Sequence, residues 1–537
     1  MIKTRRFEYT VRIPSTLNMT EIALDRWNSK ESSSTTPALI HGERTFTYKE
    51  LSSYVNRVGN AMKRLGVTPG QRVLIKQGNH YMYIVLNLAV IKIGAVSVPI
   101  STLFREREVE HVLRDAQPSL VIAPPDQLEQ LITAAKRLET PPSFYPVTGT
   151  YDDLPSIEDL SKDEGEVLDA YPSNAEDTAF ILYTSGTTAF PKGVEHAHRW
   201  LVALGDPNTE FVMNLRRGHR VTTPSEMTWM WPWGYCLWFP LYRGATIVIY
   251  EGRFDPQRTF SHLEKYEVTH FVGNPTIYRR MLAVDKAEEK FKLRLEAAFS
   301  SGETLAPEVF REWKRRFGCE IYDCMGQTEM HVFCATRPGS VKLGSMGKPL
   351  PSIPVEVVRE DGTPCDEGEV GYLAVRGDFK GLTKGYVNLP EEWASKFKEK
   401  WYLTGDYAYL DEDGFLWYVS RVDDLIKSRG YLISPKEVED VLQEHPAVLE
   451  SAVVGVKDPE LREKVKAYVV LKEGYSPSEE LAREIREFTV RKIAPFKAPK
   501  EIAFIDSLPK TVTGKVMRRV LKTQAETGVE QASTFSF

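Results

Sequence analysis

Tyr183-Thr184-Ser185-Gly186-Thr187-Thr188-Ala189-Phe190-Pro191-Lys192-Gly193 follows directly on the apolar run Thr178 to Tyr183. A strand that empties into a loop of small and hydroxylated residues is the arrangement in which backbone N–H groups can approach an anion closely. Thr184, Ser185, Thr187 and Thr188 add hydroxyl donors and Lys192 adds a positive charge, so the loop is suited to phosphate. It is not a Walker A loop, because the G-x-x-x-x-G-K-[ST] spacing is absent. A hydroxyl-rich surface turn is the other reading that the local residues allow.

Outward from this loop, the chain alternates strand-like and helix-period segments. Thr47 with Glu50 forms a capping box, Leu51, Val55, Val58, Met62 and Leu65 recur at helical spacing, and Gly66 stops the run. Arg72 to Ile75 and Leu120 to Ala123 read as strands around an apolar helix from His80 to Ile93, closed by Gly94. After the loop, Ala245 to Tyr250, His270 to Val272 and Glu296 to Ser300 repeat the strand signal. Such alternation predicts parallel sheets covered by helices, an α/β architecture.

Beyond Gly344 the texture changes to short β-rich pieces and turns: Val355 to Val358, Asp361-Gly362, Gly371 to Val375, then Asp413-Gly414 and Phe415 to Val419. This predicts a small β-layer. Ser434 and Glu437 then cap a helix with Pro435 in its first turn, Ala452 to Val456 and Lys466 to Leu471 read as strands, and Ser478 to Lys492 as a helix. The expected organisation is a large N-terminal domain over 1–420 and a small α+β domain over 425–537, joined at 421–424; the family resemblance given below makes that joint a hinge and the small domain mobile. Ser32 to Thr36 and the polar tail after Lys522 are expected to be mobile.

The 537 residues, 42% hydrophobic, fit two or three packed units. The net charge of −5 offers no excess of cations for a phosphate backbone, which argues against nucleic-acid binding. Apolar patches such as Tyr83 to Val90 stop short of the ~20 residues that span a bilayer, the N-terminus lacks an apolar signal core, and five scattered cysteines give neither a disulfide framework nor a zinc pair. A cytoplasmic protein without stable membrane insertion is expected, with homo-oligomerisation left open.

The loop 183–193 resembles the signature loop of the adenylate-forming enzymes, the superfamily of acyl- and aryl-CoA synthetases, luciferase and peptide-synthetase adenylation domains. Five further motifs follow in that family's order: Ser301-Gly302-Glu303, Asp323-Cys324-Met325-Gly326-Gln327-Thr328-Glu329, Leu403-Thr404-Gly405-Asp406, Arg421-Val422-Asp423-Asp424-Leu425-Ile426-Lys427 and Pro509-Lys510-Thr511-Val512-Thr513-Gly514-Lys515. The likeness runs from about Thr20 to Lys522.

The resemblance implies an AMP-forming acid–thiol ligase of fatty-acid metabolism. A carboxylate attacks the α-phosphorus of MgATP, giving an acyl-adenylate and pyrophosphate, and the thiol of CoA then displaces AMP. ATP and CoA are thus co-substrates and Mg²⁺ the cofactor. By the same resemblance ATP or AMP is held by Thr184, Ser185, Gly186, Thr187, Lys192, Gly302, Glu303, Asp323, Met325, Gln327, Thr328, Asp406 and Arg421. Asp323 faces the adenine amino group, Asp406 the ribose hydroxyls, and Met325 stands where relatives carry an aromatic ring. Glu329, a hard oxygen donor, is the metal ligand, and Thr188, Glu329 and Lys515 are the catalytic residues. Asp423 is the hinge about which the C-terminal domain alternates, and Gly430 and Tyr431 line the CoA tunnel.

Trp229, Trp233, Gly234 and Gly326 are the acyl-pocket candidates, although a dense aromatic run also reads as core. A bulky Trp fills the place of Gly326 in acetate-specific relatives, so glycine implies room for a longer chain or a ring. The segments around Val465 to Tyr468 and Leu508 to Lys515 look most like medium-chain acyl-CoA synthetases, and Ile433-Ser434-Pro435 like benzoate-type ligases. The expected acid is short- to medium-chain aliphatic. An aryl acid, or a carrier protein loaded in place of CoA, is the alternative. Ala189, Met325, Ser420 and Leu432 depart from the family pattern.

Overall fold

Val, Ile and Leu concentrate on every face of the segment Tyr81–Lys92, and a helix apolar all round must be buried. In the computed structural model, which describes residues 11–28, 35–184, 190–303, 305–428, 431–510, 516–528 and 532–537, all twelve residues of that helix are buried. It touches two sheets. The Asn87 amide accepts from Ser97 on one, and the Tyr83 hydroxyl donates to Met227 O near the other, at 2.5 and 2.8 Å.

The chain divides into two units, 1–355 with 375–400, and 356–374 with 401–537. The first holds, among the described residues, a seven-stranded sheet ordered Gly385–Tyr386, Gly193–Ala197, Thr178–Tyr183, Val96–Pro99, Arg72–Ile75, Leu120–Ala123, Ser143–Pro146. The last five strands are parallel, as the strand–helix alternation predicts. A nine-stranded sheet contains the parallel strands Arg220–Thr222, His270–Gly273, Ala297–Ser301 and Ile321–Gln327, followed by the antiparallel strand His331–Ala335 and, at the edge, Lys348–Pro349. The capping box of Thr47 and Glu50 opens helix Tyr48–Arg64.

In the second unit, Trp401–Leu410 and Leu416–Arg421 form an antiparallel pair. A further sheet of Tyr431–Ile433, Ile426–Ser428, Val448–Asp458, Arg462–Leu471, Glu501–Phe504 and Ser533–Ser536 is covered by helices Pro435–Gln443, Glu479–Lys492 and Arg518–Thr527. Ser434 caps the first of these through Glu437 N, with Pro435 in its first turn. The small β-layer of 356–374 and 401–421 thus groups with the C-terminal residues, whereas the sequence places the boundary at 420/421.

One expectation is corrected. The described residues after Lys522 are not a loose tail: they complete helix Arg518–Thr527 and add Ser533–Ser536 as an antiparallel edge strand beside Glu501–Phe504. Phe535 and Phe537 pack against the core of that sheet, and this burial outweighs the polar composition that pointed to mobility.

Candidate active site

The stem of the loop 183–193 is a hairpin. Thr178–Tyr183 and Gly193–Ala197 pair antiparallel, with Gly193 opposite Tyr183, and Thr184 N donates to Lys192 O at 3.0 Å. Ser185, Gly186, Thr187 and Thr188 lie outside the described residues, as do Gly430 and Lys515. Lys192 forms an ion pair with Glu392, and its ammonium stands 5.7 Å from the centre of the Tyr386 ring.

Tyr386 ties this stem to the second motif, because its hydroxyl donates to Glu329 Oε1 at 2.6 Å. Strand Gly385–Tyr386 pairs with Gly193–Ala197, so a sheet edge brings Lys192 and Glu329 to one tyrosine. The motif is further pinned where Thr383 N donates to Glu329 O (2.7 Å) and His196 Nε2 to Thr328 O (2.8 Å). Burial pushes His196 down to about 3, so this histidine is neutral and the bond depends on its Nε2–H tautomer. One Glu329 oxygen accepts from Tyr386, leaving the other for a hard cation, a donor that fits Mg²⁺.

Asp323 sits at 5% exposure in strand Ile321–Gln327, and its Oδ2 accepts from Leu305 N at 3.0 Å. Gly302 has a φ of +100°, a conformation glycine adopts without strain, and Glu303 lies 3.9 Å from Arg279. Met325 pairs with Cys334 and Gln327 with His331 across the hairpin that follows.

That hairpin carries a residue the sequence reading missed. His331 is fully buried with a φ of +89°, unusual for a side chain with a Cβ. Its ring stacks with Tyr235 at 5.4 Å and Trp231 at 6.1 Å, and Phe239 and Trp200 meet it edge-on. Burial lowers its pKa to about 3. Nothing in the local pattern Glu329-Met330-His331 signals this, since the partners come from segments about a hundred residues away.

Gly234 and Gly326 both face His331. A Cβ on Gly234 would collide with the imidazole, and one on Gly326 would stand 2.6 Å from His331 O and 2.9 Å from Val332 N. Trp229 packs edge-on against Phe104 and is partly buried, whereas Trp233 has no exposed surface and sits among Tyr83, Phe180 and Trp238, which is a core position.

In the second unit Asp406 is 3% exposed and lies opposite Arg421 in the strand pair, accepting from Arg421 Nη1 at 3.2 Å. Its own N–H donates to Thr404 Oγ1, and Gly405 turns with a φ of +80°. Asp423 follows in the turn after this strand. Arg518 donates three hydrogen bonds to buried Glu439, at 3.2, 2.8 and 2.7 Å, and reaches Asp424 at 3.7 Å. Burial pushes the Glu439 and Asp424 carboxyls up against the pull of that cation. Lys510 and Val516 form an antiparallel bridge, and Met517 N donates to Pro509 O. Tyr431 is exposed and stacks on Phe496 at 4.3 Å.

Elsewhere among the described residues, His41, His80 and Glu251 bring potential ligand atoms within 4.8 Å of one another. His80 Nδ1 there accepts from Met82 N as the cap of helix Tyr81–Lys92, and Glu251 pairs with His41. No helix of the described residues is long and apolar enough to cross a membrane.

The sequence matches the AMP-binding enzyme model over residues 26–387 and the AMP-binding enzyme C-terminal domain over 437–515. It is 35% identical to benzoate–CoA ligase of Thauera aromatica, over 89% of this chain and 90% of that one, and 36% identical to 4-hydroxybutyrate–CoA ligase 1 of Metallosphaera sedula, over 90% and 85%. The crystal structure of an anthranilate CoA ligase in complex with anthranoyl-AMP superposes with a TM-score of 0.88 at 31% identity, covering 96% of this chain and 99% of that one. The six ordered motifs, the paired sheets and these matches together make the chain a member of the AMP-binding enzyme family, the adenylate-forming enzymes.

Proposed function

We propose that the protein is an AMP-forming acyl-CoA ligase that converts a carboxylic acid, ATP and CoA to acyl-CoA, AMP and pyrophosphate through an acyl-adenylate. The observation that carries this reading is Tyr386, which joins the cationic stem of the phosphate loop at Lys192 to the carboxylate of Glu329. Bringing two anions together demands positioning and charge stabilisation rather than a general base. Lys192 and the backbone of 184–188 bind phosphates, and Glu329 would hold Mg²⁺, which supplies charge neutralisation when bound. Asp406 orients the ribose and Asp323 the adenine. Lys515 stabilises the charge that builds as carboxylate and α-phosphate meet. Gly430 and Tyr431 serve the thioester step, with the C-terminal residues turning about Asp423.

The acid is short- to medium-chain aliphatic in this reading. A second reading, an aryl acid, is favoured by the flat aromatic group of Trp231, Tyr235 and His331 behind Gly234 and by the benzoate and anthranilate specificity named for the relatives above. Pyrophosphate release should be measured with MgATP, with and without CoA, across acetate, butyrate, 4-hydroxybutyrate, hexanoate, octanoate and benzoate. The expected outcome is a CoA-dependent maximum between butyrate and octanoate. A maximum at benzoate assigns the aryl branch, and silence across the panel refutes the ligase reading.

A further inference from the structure

Arg107, His111 and Asp115 are spaced four residues apart on helix Glu106–Ala116, so they form one stripe on its surface. Each touches a stem of the phosphate loop. Asp115 Oδ2 accepts from the Tyr183 hydroxyl at 2.8 Å, and Tyr183 is the last strand residue before the loop. His111 Nε2 lies 2.8 Å from Pro191 O, and its ring stacks on Phe190 with centroids 4.8 Å apart and planes 21° apart. The Arg107 guanidinium stands 5.9 Å from the centre of the same Phe190 ring. One helix face therefore contacts the described residues on both sides of 185–189, which are also joined to each other by Thr184 N donating to Lys192 O.

The chemistry of these contacts favours anchoring. A carbonyl only accepts, so His111 must donate through Nε2–H, which both its neutral and protonated forms provide. Phe190 is 38% exposed, and the imidazole stacked on its ring and the guanidinium near it are contacts that restrain it from the helix side. Loop residues that bind phosphates are most effective when held in place before the ligand arrives, because the ordering cost is then not charged to binding.

We propose that the stripe Arg107, His111 and Asp115 positions the phosphate loop for ATP, with His111 on Phe190 and Pro191 as its central contact. The proposal rests on the nucleotide-binding reading of that loop. His111 acts through the loop and is a positioning residue.

The test compares His111→Ala, His111→Gln, Phe190→Leu and the double variant His111→Ala with Phe190→Leu, in the full chain. Equilibrium binding of MgATP is the primary readout, supported by the KM values for ATP and for the acid and by the thermal midpoint. Loss of one hydrogen bond and one ring stack corresponds to a roughly tenfold weaker MgATP affinity. The KM for the acid and the midpoint should stay near wild type. His111→Gln, which retains an N–H donor, should recover part of the loss, and the double variant should cost less than the sum of the singles, because both act on one contact. Asp115→Asn should weaken MgATP binding in the same direction from the other stem. Unchanged MgATP affinity in His111→Ala overturns the proposal, and so does a parallel loss of ATP binding, acid KM and thermal midpoint, which marks a merely structural contact. If wild type binds MgATP but releases no pyrophosphate with any acid, the ligase reading fails while the binding comparison still decides the stripe. A wild type that binds no MgATP overturns both.

Discussion

Tyr386 shows how much a single residue outside every sequence motif can contribute. Its hydroxyl holds one oxygen of Glu329 and its ring lies near the ammonium of Lys192, so two motif residues 137 positions apart in number share one support. A hydrogen bond to a charged group contributes about 1.5–3 kcal/mol. Tyr386→Phe keeps the ring and removes only the donor. It should therefore lower the rate of adenylate formation about tenfold at limiting Mg²⁺, with a smaller deficit at saturating Mg²⁺. Adenylation rates titrated against Mg²⁺ check this, and an unchanged titration would assign the tyrosine to packing alone. Glu392, the ion-pair partner of Lys192, was equally invisible in the sequence, because a lone glutamate two hundred residues from the loop carries no local signal.

At the scale of the element, the hairpin Ile321–Gln327 and His331–Ala335 explains a glycine differently from the sequence. Read alone, Gly326 implies pocket room. In the structure its Cβ position is occupied by the backbone of His331 and Val332, where the register shifts between Met325 and Gly326. A side chain at 326 must push a strand rather than fill a void, and strain of this kind costs about 1–3 kcal/mol. Gly326→Ala should accordingly lower stability toward urea by that amount before any change of acid preference is considered. Urea denaturation of the variant measures it, and a midpoint equal to wild type would return Gly326 to the pocket reading. The capped helices behave more simply: Thr47 with Glu50, Ser434 with Glu437, and Ser478 each begin a helix where the cap signal stands.

Across the whole molecule, His196, His198, His270 and His331 are each about 1% exposed, and burial lowers their pKa values to about 3, 4, 4 and 3. All four belong to the first unit. Well above the unfolded value near 6.5 such a histidine is neutral both folded and unfolded, so it has no pH-dependent effect there. As pH falls below the unfolded value near 6.5, the unfolded chain takes up protons that the folded chain refuses until pH 3–4, and stability is lost throughout that window. Each histidine removes about 2 kcal/mol between pH 8 and pH 5. The thermal midpoint should fall steeply from pH 6.5 to pH 5 and be flat between pH 7 and pH 8. A midpoint unchanged at pH 5 would contradict the burial of these rings as neutral groups.

Order along the chain was enough for some features and silent on others. The strands Arg72–Ile75, Leu120–Ala123, Thr178–Tyr183 and Val355–Val358 stand where the apolar runs place them, because a buried parallel strand is a short continuous apolar run bounded by turn residues. Family membership was likewise legible, since six short motifs in fixed order carry it and the AMP-binding enzyme models match the chain over 26–387 and 437–515. Contacts between remote segments had no such trace. His331 in its aromatic surround, Tyr386 between Glu329 and Lys192, the stripe of Arg107, His111 and Asp115 on the phosphate-loop stems, and the final strand Ser533–Ser536 all depend on which segments the sheets bring side by side. Local sequence determines backbone preference and periodicity, whereas a side chain's partner is decided by packing across the fold, and only the tertiary structure contains that information.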